Sequence, residues 1–324
     1  MTPRLPSPRP SAGTAPSGPP SSIPGGARPP RDEGAPLRGD GLTLGYGPER
    51  TVSEHLDVSV PDHSFTVIIG PNACGKSTLL RALSRLMAPR AGTVVLDGRD
   101  IREHSSKAVA RRLGLLPQSS TSPQGITVRD LVARGRFPHQ SMLRQWSPDD
   151  DAAVARALAA TGVADLGGRL VDELSGGQRQ RVWLSLVLAQ ETPLLLLDEP
   201  TTFLDITHQL EILDLCRDLH ATGRYTLVAV LHDLNLAFRY ATHLIVMKDG
   251  AVVTAGAPQD IVTAELIGDV YDIECLCLPD PVNGRPMIVP LDAARAPTRT
   301  RPDAHAATHA AGGSTGAGPE RTPA

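Results

Sequence analysis

The first residues in this chain that could do chemistry form a glycine-rich segment that fits the pattern G-x-x-x-x-G-K-[ST] in full. Its members are Gly70, Pro71, Asn72, Ala73, Cys74, Gly75, Lys76, Ser77 and Thr78. Glycines in such a loop let backbone N–H groups turn inward as an anion nest at a helix N-terminus. We expect Lys76 to reach the β and γ phosphates of a nucleotide and the Ser77 hydroxyl to hold Mg²⁺.

The second chemical group is a pair of carboxylates that follows a short apolar run. Residues 194–197 are four leucines, and Asp198 and Glu199 come directly after them. A continuous apolar run of this length predicts a strand that is buried on both faces of a parallel sheet. We expect Asp198 to bind the Mg²⁺. Glu199 is expected to accept a proton from, or orient, the water that attacks the γ-phosphate.

A histidine ends another apolar run in the same way. Residues 226–231 predict a second buried strand, and His232 follows it. In an open α/β sheet, ligands bind outside the carboxyl ends of the strands, so Gly70, Asp198 and His232 are expected to converge on one site. Taken alone, His232 is equally compatible with a strand-end histidine whose hydrogen bonds are satisfied locally.

A second anion cradle lies between these segments. Ser175, Gly176, Gly177 and Gln178 stand where a predicted helix over 178–190 begins, so a hydroxyl and free N–H groups meet at its N-terminus. One nucleotide bound by the first loop does not need a second cradle. The economical explanation is that this cradle binds the γ-phosphate held by a second copy, in a head-to-tail dimer with two ATP molecules at the interface.

Periodic segments around these groups predict the elements that position them. Residues 66–69 read as a strand before the glycine-rich loop, and residues 78–83 read as a helix after it. Residues 42–46 and 56–60 alternate apolar and polar side chains and predict an antiparallel edge sheet. Between about 119 and 180 the pattern is helical, with a helix start at Ser147-Pro148-Asp149. The predicted fold is therefore α/β, a P-loop NTPase with a mixed sheet core and an inserted helical subdomain.

Composition limits the folded region and the classes of partner. The first 38 residues contain eleven prolines and few large apolar side chains, and the segment from about 293 is similarly poor in them. Such segments cannot offset their ordering entropy, so we expect disorder at 1–38 and 293–324 around one domain at 39–292. No apolar run approaches the roughly 18 residues of a membrane span. The net charge of −3 gives no basic footprint for nucleic acid.

With these motifs in this order, the chain resembles the ATP-binding-cassette (ABC) ATPases over about residues 39–290. The resemblance implies that Tyr46 stacks on adenine, although a tyrosine before Gly47 is also compatible with a simple turn. It implies that Gln118 contacts both Mg²⁺ and the membrane partner, and that Asp205 belongs to the D-loop. It further implies that residues 175–178 are the signature, and that His232 is the switch histidine.

Within that family the chain is similar to the ATPases of bacterial iron(III)–siderophore importers. The similar stretches are residues 131–140, 188–192, 198–206, 232–237 and 280–286. Within the first of them, residues 134–139 are candidates for the surface that docks the permease. This implies a homodimer on the cytoplasmic face of the membrane, bound to integral permease subunits and served indirectly by a substrate-binding protein. An importer of haem, cobalamin or another metal chelate, a non-transport ABC ATPase and a regulator that binds ATP without hydrolysing it remain alternatives.

Two residues depart from the family pattern. Ala73 stands where the glycine-rich loop usually has another glycine, and a methyl group at a positive φ costs on the order of 1 kcal/mol. Phe203 stands where these importer ATPases often have tryptophan or tyrosine. Neither substitution removes a reacting group.

Overall fold

The computed structural model describes residues 34–47, 49–119, 121–140, 146–202 and 204–292. The strands are β1 Leu37–Tyr46, β2 Arg50–Val60, β3 Phe65–Ile69, β4 Ala91–Leu96, β5 Arg99–Asp100, β6 Leu113–Leu116, β7 Leu194–Asp198, β8 Thr226–Val230, β9 His243–Lys248, β10 Ala251–Gly256, β11 Cys275–Pro279 and β12 Pro286–Pro290. The helices are α1 Lys76–Leu83, α2 Ser106–Ala110, α3 Val128–Ala133, α4 Pro148–Ala160, α5 Gly176–Ala189, α6 Ile206–Ala221, α7 Leu234–Tyr240, α8 Pro258–Ile261 and α9 Ala264–Tyr271. Short 3-10 helices lie at Arg134–His139, Ala164–Leu166 and Val171–Glu173.

The central sheet has six strands in the order β10-β9-β3-β8-β7-β6. Five of them run parallel, and β10 pairs antiparallel with β9 at one edge. Every residue of β3, β7 and β8 is buried, as the continuous apolar runs predict for strands covered on both faces. Because these three strands are neighbours and parallel, their carboxyl ends lie at the same edge of the sheet. The predicted mixed sheet core is confirmed.

A second, antiparallel sheet has the strand order β2-β1-β4-β5, and it confirms the predicted edge sheet. Along β1 the buried residues Leu37, Leu42 and Leu44 mostly alternate with partly exposed ones, as expected for a strand with one face on the core. The strand begins at Leu37, two residues before the predicted start of the domain at 39. The segment 293–324, most of 1–38 and Phe203 lie outside the described residues.

Helices α3, α4 and α5 pack against one another and form the helical part of the chain between the strands β6 and β7. At the start of α4, both the backbone N–H and the hydroxyl of Ser147 donate to the Asp150 carboxylate, at 3.0 and 2.9 Å. Proline occupies the first position of this helix, as predicted. Helix α5 begins at Gly176, two residues before the predicted start, and it continues to Ala189, beyond the predicted end of the subdomain.

A buried arginine joins this helical region to the end of α5. The Arg136 side chain is 5% exposed, and its Nε donates to Asp150 Oδ1 at 2.9 Å. Its Nη1 donates to the Ala189 carbonyl at 2.7 Å and to Glu191 Oε2 at 2.8 Å. A buried charge is tolerated when it is paired and hydrogen-bonded in this way. The turn that carries Arg136 is therefore held against the body of the protein.

In the part of the chain that the structure describes, no helix combines the length and the apolar character needed to cross a bilayer.

Candidate active site

The glycine-rich loop joins β3 to α1, as the sequence predicts. Two of its residues have left-handed backbone conformations, Ala73 at φ 64° and Gly75 at φ 104°. These conformations turn successive N–H groups toward a common point, which is the geometry of an anion nest. A Cβ atom on Gly70 would lie 2.2 Å from the Met247 carbonyl oxygen of β9, so only glycine fits there. Because Ala73 has a positive φ, its methyl group carries the cost of about 1 kcal/mol expected from the sequence.

Two side chains of the loop are buried within it. The Lys76 ammonium donates to the carbonyl oxygens of Gly70 and Pro71, at 2.8 and 2.9 Å. An ammonium group has three N–H donors, so it retains the capacity to bind one more acceptor. Cys74 is 5% exposed, and burial raises the pKa of its thiol although the Lys76 charge acts in the opposite direction. The four cysteines are free thiols.

The structure brings together Ser77 of the glycine-rich loop and Asp198 of β7, which are 121 positions apart in the sequence. Ser77, in the first turn of α1, donates from its hydroxyl to Asp198 Oδ1 at 2.9 Å. Asp198 is 3% exposed, and burial raises the pKa of its carboxyl group, opposed mainly by the Ser77 hydrogen bond. A buried carboxylate beside a hydroxyl supplies two hard oxygen donors, so these residues fit Mg²⁺.

The Glu199 carboxylate is the point at which three other segments meet. His232 Nε2 lies 2.7 Å from Glu199 Oε1, while Gln118 Nε2 and the Thr202 hydroxyl donate to Oε2 at 2.7 and 3.0 Å. Burial opposes ionisation of Glu199, but these hydrogen bonds outweigh it and hold the pKa of its carboxyl group below the ordinary value. The backbone of Glu199 has φ 54°, a conformation that costs free energy for a side-chain-bearing residue. A strained, ionised carboxylate is thus held at the end of β7.

The Gln118 amide therefore donates to Glu199 in this structure, while Ser77 and Asp198 bond to each other. Its expected contact with Mg²⁺ stays a prediction, and it requires the amide to leave Glu199. For His232, the structure favours the site over a locally satisfied strand end, because its ring is within hydrogen-bond distance of Glu199 and not turned away.

Tyr46 stands at the end of β1, beside the helix that follows the loop. Its hydroxyl is 3.1 Å from the Thr78 hydroxyl and accepts from Arg81 Nη1 at 3.3 Å. Tyr46 is 41% exposed, and it lies among the residues that line the cleft described below. The tyrosine is thus more than a turn residue, and its stacking on adenine stays a prediction.

Several of these residues line one open cleft, and Asp198 and Gln118 are not among its described lining. The residues around it are Tyr46, Arg50, Val52, Asn72, Ala73, Gly75, Lys76, Ser77, Thr78, Glu199 and His232. Sequence reasoning missed Arg50 and Val52, which the β1–β2 pairing brings opposite Tyr46 and the loop. It also missed Thr202, although a threonine three residues after Glu199 in a turn is a recognisable signal, since Thr202 N–H donates to the Glu199 carbonyl at 3.2 Å.

The predicted second cradle lies apart from this cleft. None of Ser175, Gly176, Gly177 and Gln178 is among the described residues that line it. Ser175 accepts a hydrogen bond from the Gln178 N–H at 3.3 Å, and its own N–H donates to Gln178 Oε1 at 3.1 Å, which is a capping box. Ser175 and Gly176 are exposed at the start of α5, so this helix terminus faces outward.

Asp205 begins α6 and also lies outside the cleft. Its carboxylate accepts the His208 N–H at 2.9 Å and lies 2.7 Å from His208 Nδ1. The His208 ring in turn lies so close to Gly177 that a Cβ atom there would be 2.3 Å from it. The histidine therefore joins the segment of Asp205 to the signature segment within one chain.

Comparison with known proteins identifies the family of this chain. The profile of the ABC transporter family matches residues 53–202. The chain is 58% identical over 257 residues to the ferric enterobactin transport ATP-binding protein FepC of Escherichia coli, covering 79% of this chain and 94% of that protein. It is 50% identical over 249 residues to the probable siderophore transport system ATP-binding protein YusV of Bacillus subtilis, covering 77% and 90%.

A solved ATP-binding cassette, dimeric and bound to ADP and Pi after hydrolysis, superposes with a TM-score of 0.60. It is 25% identical and covers 68% of this chain and 98% of that one. The predicted resemblance and the predicted fold class are both confirmed. With a phosphate loop, a buried acidic strand end and a capped signature helix in the expected places, this chain belongs to the ABC transporter family as one of its ATP-binding, ATP-hydrolysing subunits.

Proposed function

We propose that this chain is the energy-coupling ATPase of an importer that takes up iron(III)–siderophore complexes. The observation that carries the cargo class is the 58% identity to FepC, over 94% of the length of that protein. The 50% identity to a second siderophore-system protein supports the same class. The ATPase does not bind the cargo itself, so the cargo follows from the permease to which the subunit docks.

ATP binding is assigned to the cleft, with each contact supported by its local geometry. The nest at residues 73–75 and the free donor capacity of Lys76 suit the β and γ phosphates. Tyr46, an exposed aromatic side chain in the cleft, suits adenine. Ser77 and Asp198 would hold Mg²⁺, with Gln118 as a further ligand once it leaves Glu199. Bound there, Mg²⁺ would neutralise charge that develops on the phosphate oxygens.

Glu199 is assigned the role of proton acceptor for the attacking water. Its pKa is held low, so the carboxylate is ionised near neutral pH and can orient the water and take its proton. His232 fixes the carboxylate from one side and Thr202 from the other, which sets the direction of its free lone pairs. Asp198 is buried and is engaged by the Ser77 hydroxyl, which suits its carboxylate to the cation.

The signature segment is assigned the role of binding the nucleotide of a second copy of the chain. Residues 175–178 present an exposed helix N-terminus that the cleft of the same chain does not use, so the cradle is available to a nucleotide on another subunit. This supports a head-to-tail dimer that sandwiches two ATP molecules. The D-loop residue Asp205, tied to Gly177 through His208, would accompany it to the same interface.

The permease is assigned to the 3-10 helix Arg134–His139, with part of the expected surface revised. Arg136 is buried and His139 Nε2 is 2.8 Å from the Gln190 carbonyl, so neither side chain is directed at a partner. Phe137 is 63% exposed on this braced turn, and it supports docking of an apolar helix surface. The chain would thereby be held at the cytoplasmic face of the membrane as a peripheral subunit, with a substrate-binding protein acting outside.

The test is uptake by a strain that carries Glu199→Gln on the chromosome, grown under iron limitation. Radiolabelled ferric siderophores, haem and cobalamin are supplied one at a time. We expect uptake of at least one ferric siderophore to fail while haem and cobalamin enter normally. Normal uptake of every ferric siderophore with loss of another cargo would contradict the iron assignment and leave the importer class intact.

A further inference from the structure

The two-stranded hairpin formed by β11 and β12 is the last described part of the chain, and the ATP site as assigned makes no use of it. Its strands pair from Cys275 opposite Pro290 to Pro279 opposite Pro286. One face is turned inward: Ile288 is 3% exposed in the main core, and the Cys277 thiol reaches the Val262 carbonyl at 3.8 Å. The hairpin is therefore packed onto the domain at a defined position.

The hairpin grips the first turn of helix α7 through one amide side chain. Asn235 Nδ2 donates to the Ile288 carbonyl at 3.1 Å, and the Ile288 N–H donates to Asn235 Oδ1 at 2.8 Å. The amide thus takes the place of a backbone strand neighbour beside β12. Two hydrogen bonds to the backbone of one residue restrict both the position and the rotation of the helix relative to the hairpin.

The same hairpin holds the other end of α7 through an arginine. Arg285 Nη1 donates to the Phe238 carbonyl at 3.2 Å and also to the Ala241 carbonyl. These carbonyls belong to the last turn of the helix, where unpaired acceptors and the negative end of the helix dipole favour a cation.

The turn that carries Arg285 is braced by its own residues. Asp280 N–H donates to the Arg285 carbonyl and Gly284 N–H donates to the Asp280 carbonyl, both at 2.7 Å. The Arg285 N–H donates to Asn283 Oδ1 at 2.9 Å, and Gly284 adopts φ 71°. This accounts for the stretch 280–286, which the sequence singles out without assigning it a role. The turn presents one guanidinium group in one direction.

Helix α7 begins two residues after His232. It has seven residues, and a helix of this length has little stability of its own, so its direction is set by its neighbours. Asp233 caps it by accepting the Leu236 N–H at 2.9 Å. Asp233 is also the one residue between His232 and the first residue of the helix. A change in the tilt of α7 therefore moves His232, whose Nε2 lies 2.7 Å from Glu199.

We propose that the hairpin 275–290 is a clamp that positions His232 on Glu199, with Asn235 and Arg285 as positioning residues at the two ends of α7. Neither residue touches the nucleotide cleft, so each acts only through the helix. The proposal rests on the proposed function, because it requires His232 to act on Glu199 during hydrolysis.

The test is a double-mutant cycle on the ATPase activity of the full chain. Arg285→Ala and Asn235→Ala are measured alone and combined with His232→Ala. The matched control is Arg102→Ala, which removes an exposed guanidinium paired with Asp100. We expect each clamp variant to lower kcat by about five- to ten-fold and to change the KM for ATP by less than about two-fold, because only the positioned step is affected. Arg285→Lys keeps a donor for the helix carbonyls and is expected to restore most of the rate.

The combined variants decide between positioning and general support of the fold. If the clamp acts through His232, adding Arg285→Ala or Asn235→Ala to His232→Ala lowers kcat no further. An equal loss in both backgrounds, or wild-type kcat in the single variants, contradicts the clamp. Full turnover by His232→Ala itself would instead contradict the role of His232 in the proposed function.

A second readout applies if His232→Ala is too slow to measure. In a ¹⁵N-histidine-labelled chain, the imidazole signals of His232 are identified by their loss in His232→Ala. We expect these signals to shift in Arg285→Ala and in Asn235→Ala and to stay in place in Arg102→Ala. Unchanged His232 signals in both clamp variants contradict the proposal, whatever their effect on stability.

Discussion

The end of β7 and the start of α5 serve, in the proposed mechanism, two different ATP molecules. The end of β7 acts on the nucleotide in the cleft of its own chain, while the start of α5 binds the γ-phosphate held by the partner. At the end of β7, Asp198 and Glu199 are buried or half-buried and already hydrogen-bonded to side chains from several segments of their own chain. At the start of α5, the Ser175 side chain makes its hydrogen bond within its own capping box, and Ser175 is exposed. One region is assembled from several segments of a single chain, while the other lies outside the described lining of that chain's cleft.

This difference separates two kinds of defect. A change at the end of β7 alters the chemistry of one subunit without altering its capacity to bind ATP. A change at the start of α5 leaves the chemical groups of that subunit intact and prevents the partner's site from closing. Measuring nucleotide binding and turnover separately therefore distinguishes the two regions, and the following variants are ordered by the size of the expected effect.

Glu199→Gln is expected to have the largest effect. The amide keeps the shape of the side chain but cannot take a proton from water, so we expect turnover to fall by at least about 100-fold. Binding of ATP uses the loop and Lys76 and is expected to persist, so the variant should accumulate as an ATP-bound dimer. Size-exclusion chromatography with ATP and a steady-state phosphate assay measure the two effects. Turnover at the wild-type rate would remove Glu199 from the chemistry.

Ser175→Arg is expected to act on the dimer. A bulky cation at the start of α5 blocks the cradle, so we expect ATP-dependent dimerisation to be lost and turnover to fall by at least about ten-fold, with the Kd of the isolated chain for ATP changed by less than about two-fold. Ser105→Arg is the matched control, because Ser105 also caps a helix, accepting the Ala108 N–H at 3.1 Å. Both variants lose a cap of about 1 kcal/mol.

Only Ser175→Arg should lose the dimer if the comparison of the two regions is correct. Equal loss of dimerisation in Ser105→Arg would show that cap removal, and not the cradle, is responsible. Full turnover in Ser175→Arg would contradict the need for a second subunit.

Ala73→Gly is expected to have the smallest effect, and it tests the loop at the start of the site. Removing the methyl group at φ 64° relieves a strain of about 1 kcal/mol. The extra freedom of glycine in the unfolded chain offsets about half of that gain or more. We therefore expect a change in the free energy of unfolding between zero and about 0.5 kcal/mol in the stabilising direction, measured by denaturant titration.

Ala82→Gly provides the contrast for this measurement. Ala82 is buried in α1, where the backbone is right-handed, and glycine there is expected to destabilise by about 1 kcal/mol or more. If Ala73→Gly destabilised the protein as much as Ala82→Gly, the strain at Ala73 would be absent in solution.

Much of the site could be predicted because its chemistry is local. The phosphate loop depends on backbone N–H groups within nine successive residues, the signature on a cap and the next three residues, and the acidic pair on one apolar strand. Each of these is a short-range pattern of residue types, and the structure places each where the pattern predicts. The buried runs of β3, β7 and β8 also predict a parallel core, because strands buried on both faces are typical of parallel sheets that helices cover.

Only the tertiary structure decided which side chains meet. Gln118 donates to a carboxylate 81 residues away and not to the predicted metal pair, and Arg136, predicted to face a partner, is buried against residues 14 and 55 positions later. The hydrogen bonds between the Asn235 side chain and the Ile288 backbone join residues 53 positions apart, and no pattern in either segment predicts them. The sequence by itself therefore determined the loops, caps and strands that do the chemistry, since each is stabilised by near neighbours. The partners of the long polar side chains were set by strand order and helix packing, which bring together groups that no local pattern relates.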